Sequence, residues 1–119
     1  MNELFNSAAG ADPAPDSGSM RLVVDALDWQ DSGSPGFRVK SLLEDPARGL
    51  RTWLMKVEPG AWSPLHAHDD IEQVYVLEGS FYDQDATYGP GDYIVRAAGA
   101  EHIAGSESGA LVLLVYSPA

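Results

Sequence analysis

The stretch GAWSPLHAHDDIEQVYVLEG, residues 60–79, carries the reading on which the fold turns. His66 and His68 are two of only three histidines in the chain and stand one residue apart. Alternate side chains of a strand share a face, so on a strand both imidazoles project into one interior while Ala67 points away. Asp69 and Asp70 supply a turn, and Glu72-Gln73-Val74-Tyr75-Val76-Leu77 reads as the returning strand. Closing that hairpin brings Glu72 back beside the two histidines.

Outward from this unit the same grammar repeats. Short apolar runs at residues 22–24, 37–43, 52–57, 71–77, 93–95 and 111–116 are rich in Val, Ile, Tyr, Phe, Trp and Thr. Between them stand turn formers such as Ser32-Gly33-Ser34-Pro35-Gly36, Glu58-Pro59-Gly60, Glu78-Gly79 and Gly89-Pro90-Gly91. No stretch sustains a helical period, so many short strands in an all-β sandwich or barrel are expected. Residues 42–50 are the one ambiguous segment, where Glu44 to Gly49 suits either a turn or a single helical turn; the turn is expected at that length.

Residues 1–20 differ in composition, being mostly Ala, Gly, Ser, Pro and Asp with Leu4 and Phe5 as apolar anchors. They read as an N-terminal arm or tail, with Leu4 and Phe5 docking on the barrel or on a second subunit if the arm is ordered. Residues 21–119 are the folded domain. A chain of 119 residues is large enough for one core.

Charge and composition exclude several functions. Seven Lys and Arg against 18 Asp and Glu give a net charge of −11, which repels phosphate backbones and anionic lipid, so neither nucleic acid nor membrane is an expected partner. There is no cysteine, hence no disulfide, thiolate nucleophile or Cys-ligated metal. A secretory leader and a long apolar span are both missing from the pattern, and a cytoplasmic location is the expectation.

A transition metal in such a chain must use His and carboxylate. His102 follows Gly91-Asp92-Tyr93-Ile94-Val95-Arg96 and the small-residue turn from Ala97 to Ala100. Brought in from a neighbouring hairpin, it joins His66, His68 and Glu72 in a mixed nitrogen and oxygen set suited to iron(II), manganese, nickel, zinc or copper. Glu72 reads either as the fourth ligand or as a partner orienting a histidine. Such a set leaves up to two positions of a six-coordinate metal open, as catalysis requires.

These residues resemble the cupin family. Gly60, His66, His68, Glu72 and Gly79 match every fixed position of its first motif; Gly91, Gly99 and His102 match the second, with Ala97 in place of a proline and Ser106 in place of an asparagine. Only residues 80–90 separate the motifs, as in small single-domain cupins. Residues 75–79, 83–88 and 91–93 further resemble the ChrR-like group, which includes the metal-binding domain of zinc anti-sigma factors and acetylacetone- or dihydroxyacetophenone-cleaving dioxygenases. The resemblance implies an RmlC-like jelly-roll β-barrel over about residues 21–117. It also implies one divalent metal per chain, iron(II) first and zinc, manganese or nickel after it, and a homodimer.

The leading functional expectation is a mononuclear non-haem dioxygenase acting on a small oxygenated substrate such as a β-diketone or hydroxyaryl ketone. A non-catalytic sensor or interaction domain of the anti-sigma type is the alternative, and a small sugar isomerase ranks third because few cations are present to clamp phosphate. Arg51, Gln73 and Arg96 are candidate polar contacts for a bound anion, Trp62 a candidate lid four residues before His66, and Tyr82 a candidate pocket aromatic. Tyr75, Tyr93 and Tyr116, with Trp29 and Trp53, read first as packing residues.

Overall fold

The computed structural model describes residues 12–119; Leu4 and Phe5 lie outside the described residues. A 3-10 turn at Val24–Ala26 precedes ten strands among the described residues. They are β1 (Gln30–Asp31), β2 (Phe37–Asp45), β3 (Leu50–Val57), β4 (Trp62–His66), β5 (Ile71–Gly79), β6 (Phe81–Tyr82), β7 (Thr87–Tyr88), β8 (Tyr93–Arg96), β9 (His102–Gly105) and β10 (Ala110–Ser117). One sheet has the order β1-β2-β3-β10-β5-β8, the other β4-β9-β6-β7. The fold is the expected all-β barrel in a single small domain, and no helix among the described residues is long and apolar enough to cross a membrane.

Period-two patterning builds the core. Along β10, Ala110, Val112, Leu114 and Tyr116 are buried and the residues between them are half-buried. Cross-strand register stacks these side chains in rows on the inner face. Met55, Val112 and Val76 form one row, and Trp53, Leu114 and Val74 the next. Phe81 and Ala104 close the core from the smaller sheet. The following row is polar: Glu44, Arg51, Tyr116, Glu72 and Arg96 sit opposite one another across β2, β3, β10, β5 and β8. Where the apolar rows stop, the functional end of the barrel begins.

Local outcomes follow from sequence chemistry. Residues 46–49 make the expected turn between β2 and β3. Gly60, Gly79, Gly91 and Gly99 all take positive φ, and at Gly79 (φ +74°) a Cβ would collide with the Gly109 carbonyl, so no other residue fits there. The apolar run 22–24 is a correction: instead of a strand it leads into the 3-10 turn, and the first strand begins at Gln30. The carbonyls there are taken up locally rather than by a neighbouring strand: Val23 and Val24 accept from the Ala26 and Leu27 N–H groups at 3.0 Å, and Val24 also accepts from Lys40 Nζ at 2.9 Å. Residues 12–16 lie against the β2–β3 turn, where Asp45 accepts from the Ala14 N–H at 3.1 Å and Arg48 pairs with Asp16 at 2.9 Å.

Candidate metal centre

The two motif histidines do not share a strand as expected. His66 ends β4, and His68 lies two residues beyond it in the connection to β5. Convergence is achieved by pairing across strands, since His66 stands directly opposite His102, the first residue of β9. The loops holding His68 and His102 are tied where the Gly99 N–H donates to the His68 carbonyl at 2.7 Å. His66, His68 and His102 each offer a ring nitrogen within 4.8 Å of the other two. The ring centroids of His66 and His102 are 4.3 Å apart, with His68 at 5.1 and 5.6 Å from them.

The donor set suits a divalent transition metal. Nδ1 of His66 faces the Pro64 carbonyl at 2.8 Å, and Nδ1 of His102 faces the Ala100 carbonyl at 3.1 Å. A carbonyl only accepts, so in each ring Nδ1 holds the proton and Nε2 presents its lone pair, the tautomer a metal ligand needs. Burial pushes His102 down to about 4, with the Glu72 carboxylate opposing only in part. Burial likewise lowers His68. Both rings are therefore neutral at pH 7. A bound divalent metal fits this trio.

That burial has a pH signature. Between about pH 4 and 6.5 the unfolded chain binds a proton at residue 102 that the folded, metal-free protein refuses, so stability falls as pH drops through that window. His68 acts with the same sign. Going from pH 7 to pH 4.5 is expected to cost the metal-free protein roughly 2.4 kcal/mol from His102, read as a lower urea midpoint. Equal midpoints at both values would contradict neutral burial of the ring.

Glu72 falls outside the three-histidine set. Its Oε2 lies 3.5 Å from His68 Nε2 and its Oε1 3.6 Å from His102 Nε2. Both oxygens are engaged elsewhere: Tyr116 donates its hydroxyl to Oε2 at 2.6 Å, and Arg96 Nε donates to Oε1 at 3.0 Å. Arg96 is braced in turn by Asp83 at 2.8 Å, whose carboxyl stays below the usual range although burial pushes it up, because Arg96, Tyr88 and the N–H groups of Asp85 and Ala86 all donate to it. Burial, then the nearby Glu72 charge and hydrogen bond, raises Tyr116 well above its ordinary value and keeps the phenol a donor.

Glu72, Arg96 and Tyr116 line a cavity of about 10 Å³ together with His66, His102, Met55, Phe81, Ala104 and Leu114. One water or ion fills such a space. Of the candidate pocket residues, Arg96 alone lines it. Arg51 belongs to the polar row but is committed to Glu44 at 2.6 Å, its guanidinium 4.5 Å from the Trp53 ring centre. Gln73 turns to the outer face of β5 and accepts from the Tyr93 hydroxyl at 2.7 Å. Trp62 is 61% exposed and does not border the cavity, and Tyr82 sits against Gly105 on the smaller sheet. Tyr75 and Tyr93 are exposed rather than packed in the core.

Sequence reasoning missed Tyr116 and Asp83 as site residues. The signal for Tyr116 is its inward phase with Val112 and Leu114; Asp83 has no local signal. The two departures from the second motif leave the histidine in place. Ala97 still closes its turn, its carbonyl accepting from the Ala100 N–H at 3.1 Å. Ser106, fully buried, accepts from the Gly109 N–H at 2.8 Å, and its carbonyl accepts from Gly60.

Comparison with known proteins agrees with this fold. An acetylacetone dioxygenase candidate from Methylibium petroleiphilum superposes with a TM-score of 0.77 at 17% identity, over 87% of this chain and 79% of that one. An RmlC-like cupin from Shewanella frigidimarina gives 0.72 at 23% identity, over 87% and 93%. The structure of the anti-sigma ChrR with SigE from Rhodobacter sphaeroides gives 0.65 at 22% identity over 79% of this chain, which spans about half (51%) of that one. At these identities the likeness is one of fold. No protein of curated function matches in sequence. The model of the ChrR cupin-like domain matches residues 17–118, and with a cupin barrel and three converging histidines in place, this chain belongs to the ChrR cupin-like domain family.

Proposed function

We propose that this chain is a mononuclear non-haem metal dioxygenase, using iron(II), that acts on a small oxygenated organic substrate such as a β-diketone or hydroxyaryl ketone. The observation that carries the reading is an unsaturated donor set: three imidazoles converge, with the one carboxylate of Glu72 beside them held in place by Arg96 and Tyr116, and such a set leaves positions of a six-coordinate metal open. A metal bound there would supply Lewis acidity and, as iron(II), the electrons that dioxygen chemistry demands. The chain's own part is to hold the three rings, exclude bulk water with Met55, Phe81 and Leu114, and place a donor beside the ligand. Arg96 is that donor. Its side chain is 9% exposed, and Nη2 has no hydrogen-bond partner among the described residues. A substrate carbonyl or enolate oxygen would satisfy it.

A non-catalytic metal-binding sensor is the second reading, favoured by the match to the ChrR domain. Metal analysis of purified protein, followed by oxygen uptake on β-diketones and hydroxyaryl ketones after iron(II) loading, separates the two. Uptake that depends on iron and on His102 is the expected result. Stoichiometric zinc with no uptake under iron(II) would favour the sensor.

A homodimer is part of the same proposal. Tyr75 and Tyr93 are paired neighbours on the outer face of the larger sheet, 43% and 55% exposed, with Leu77 and Val95 exposed beside them. Such an apolar patch on a chain of charge −11 is suited to a second copy, because like charges are kept out of the contact. Tyr93→Asp is expected to convert a dimer to a monomer in sedimentation; a monomeric parent would refute the pairing.

A further inference from the structure

Seven cations stand against 18 acids in this chain, yet three of the seven gather at one place on the outer face of the larger sheet. Arg38 on β2 and Lys56 on β3 are exposed and directly opposite one another in register, and Lys40 follows on the same face of β2. Like charges opposite each other on neighbouring strands repel. Neither Arg38 nor Lys56 has an ion-pair partner among the described residues to offset that repulsion.

An indole stands between the two cations. Trp29 borders two recesses, one of about 500 Å³ that it shares with Lys56 and one of about 350 Å³ that it shares with Arg38. Lys40 fixes the ring: its buried Nζ lies 4.9 Å from the ring centre and donates to the Val24 carbonyl. Ser34 also borders the recess of Arg38; it is 4% exposed, and its hydroxyl has no hydrogen-bond partner among the described residues. An incoming oxygen would satisfy it. The acids nearby limit how much negative charge is welcome. Asp31 stands opposite Arg38 on β1 and gives Oδ1 to the Gly33 N–H at 3.0 Å, while Glu58 and Glu78 border the recess of Lys56.

We propose that Trp29, Ser34, Arg38 and Lys56 form a second ligand site, which takes a small carboxylate carrying a flat apolar group. The carboxylate meets Arg38 and the Ser34 hydroxyl, the apolar group lies on Trp29, and Lys56 supplies the second positive charge. Asp31, Glu58 and Glu78 disfavour a dianion such as a phosphate monoester. Both recesses are of a size that suits small molecules. The site stands apart from the histidines and Glu72, none of which borders either recess, and Lys56 is roughly 17 Å along β3 from Arg51 at the metal end.

The test is a titration of the full chain, zinc-loaded and uniformly 15N-labelled, with sodium benzoate as the probe and the three indole N–H resonances as the readout. Trp29→Phe assigns the Trp29 resonance by its disappearance. Benzoate is expected to shift the Trp29 resonance saturably and to bind more tightly than acetate, benzyl alcohol or phenyl phosphate. Arg38→Gln and Lys56→Gln, both exposed and remote from the core, should each weaken benzoate about tenfold. Ser34→Ala should weaken it as well. A benzoate effect confined to Trp53, which packs against Tyr116 of the metal end, would place the ligand at the metal and overturn the proposal. So would unchanged affinity in both cation variants, or phenyl phosphate binding as tightly as benzoate. A Trp29 resonance that follows protein concentration and ignores benzoate would make the patch a contact between copies of the chain, which also overturns it.

Discussion

His66→Ala is expected to weaken metal binding by about 100-fold or more, with the same result for His68→Ala and His102→Ala. Apparent binding energies of structural zinc sites divide into roughly 3–4 kcal/mol per ligand, and here each ring is one of three rather than one of four. Glu72, the carboxylate beside the rings, is already gripped by Arg96 and Tyr116 and is poorly placed to replace a lost ring. The barrel should survive, since the apolar rows around Trp53 and Met55 lie below the site and do not depend on it. Chelator competition on folded variants provides the measurement, with Trp62→Ala, on the exposed face of β4, as the control that retains metal. Affinities equal to the parent's in all three histidine variants would eliminate the site.

Arg96→Met is expected to have the largest effect on stability, about 3–5 kcal/mol, because it leaves two buried carboxylates without their shared cation. Glu72 and Asp83 are 6% and 1% exposed at the side chain, and each lies within 3.0 Å of the guanidinium. For a domain near this size such a loss lowers the melting temperature by well over 10 °C. Neutralising the stranded acids at the same time, with Glu72→Gln and Asp83→Asn, should recover a large part of it. That rescue distinguishes charge from lost packing: a triple variant no more stable than Arg96→Met would show that the guanidinium acts chiefly by filling space. Urea denaturation at pH 7 gives all the values needed.

The three converging histidines were legible in the sequence as a candidate set because their spacing carries them. One residue between His66 and His68, and fixed intervals to Gly60, Glu72 and Gly79, hold information that a single local unit can express. The apolar runs at 71–77 and 111–116, rich in Val, Ile and Tyr, announced strands by their composition. Short strands were harder. β6 and β7 have two residues each, and nothing local distinguishes two paired residues from a loop. Trp62 and Gln73 show the opposite failure: nearness to His66 suggested a lid at Trp62 and polarity suggested an anion contact at Gln73, and strand phase turned both away from the pocket.

What the sequence by itself determined about this protein is the all-β class, the turn glycines and a set of histidines bound for one interior. Only the tertiary structure decided how those rings meet, through the pairing of β4 with β9. It also decided that Glu72 faces Arg96 and Tyr116, which are 24 and 44 residues away along the chain. The physical reason is register. Period two tells which face a side chain takes, but which residue stands opposite is set by how all the strands close together, and a shift of one residue would send Glu72 to the outer surface.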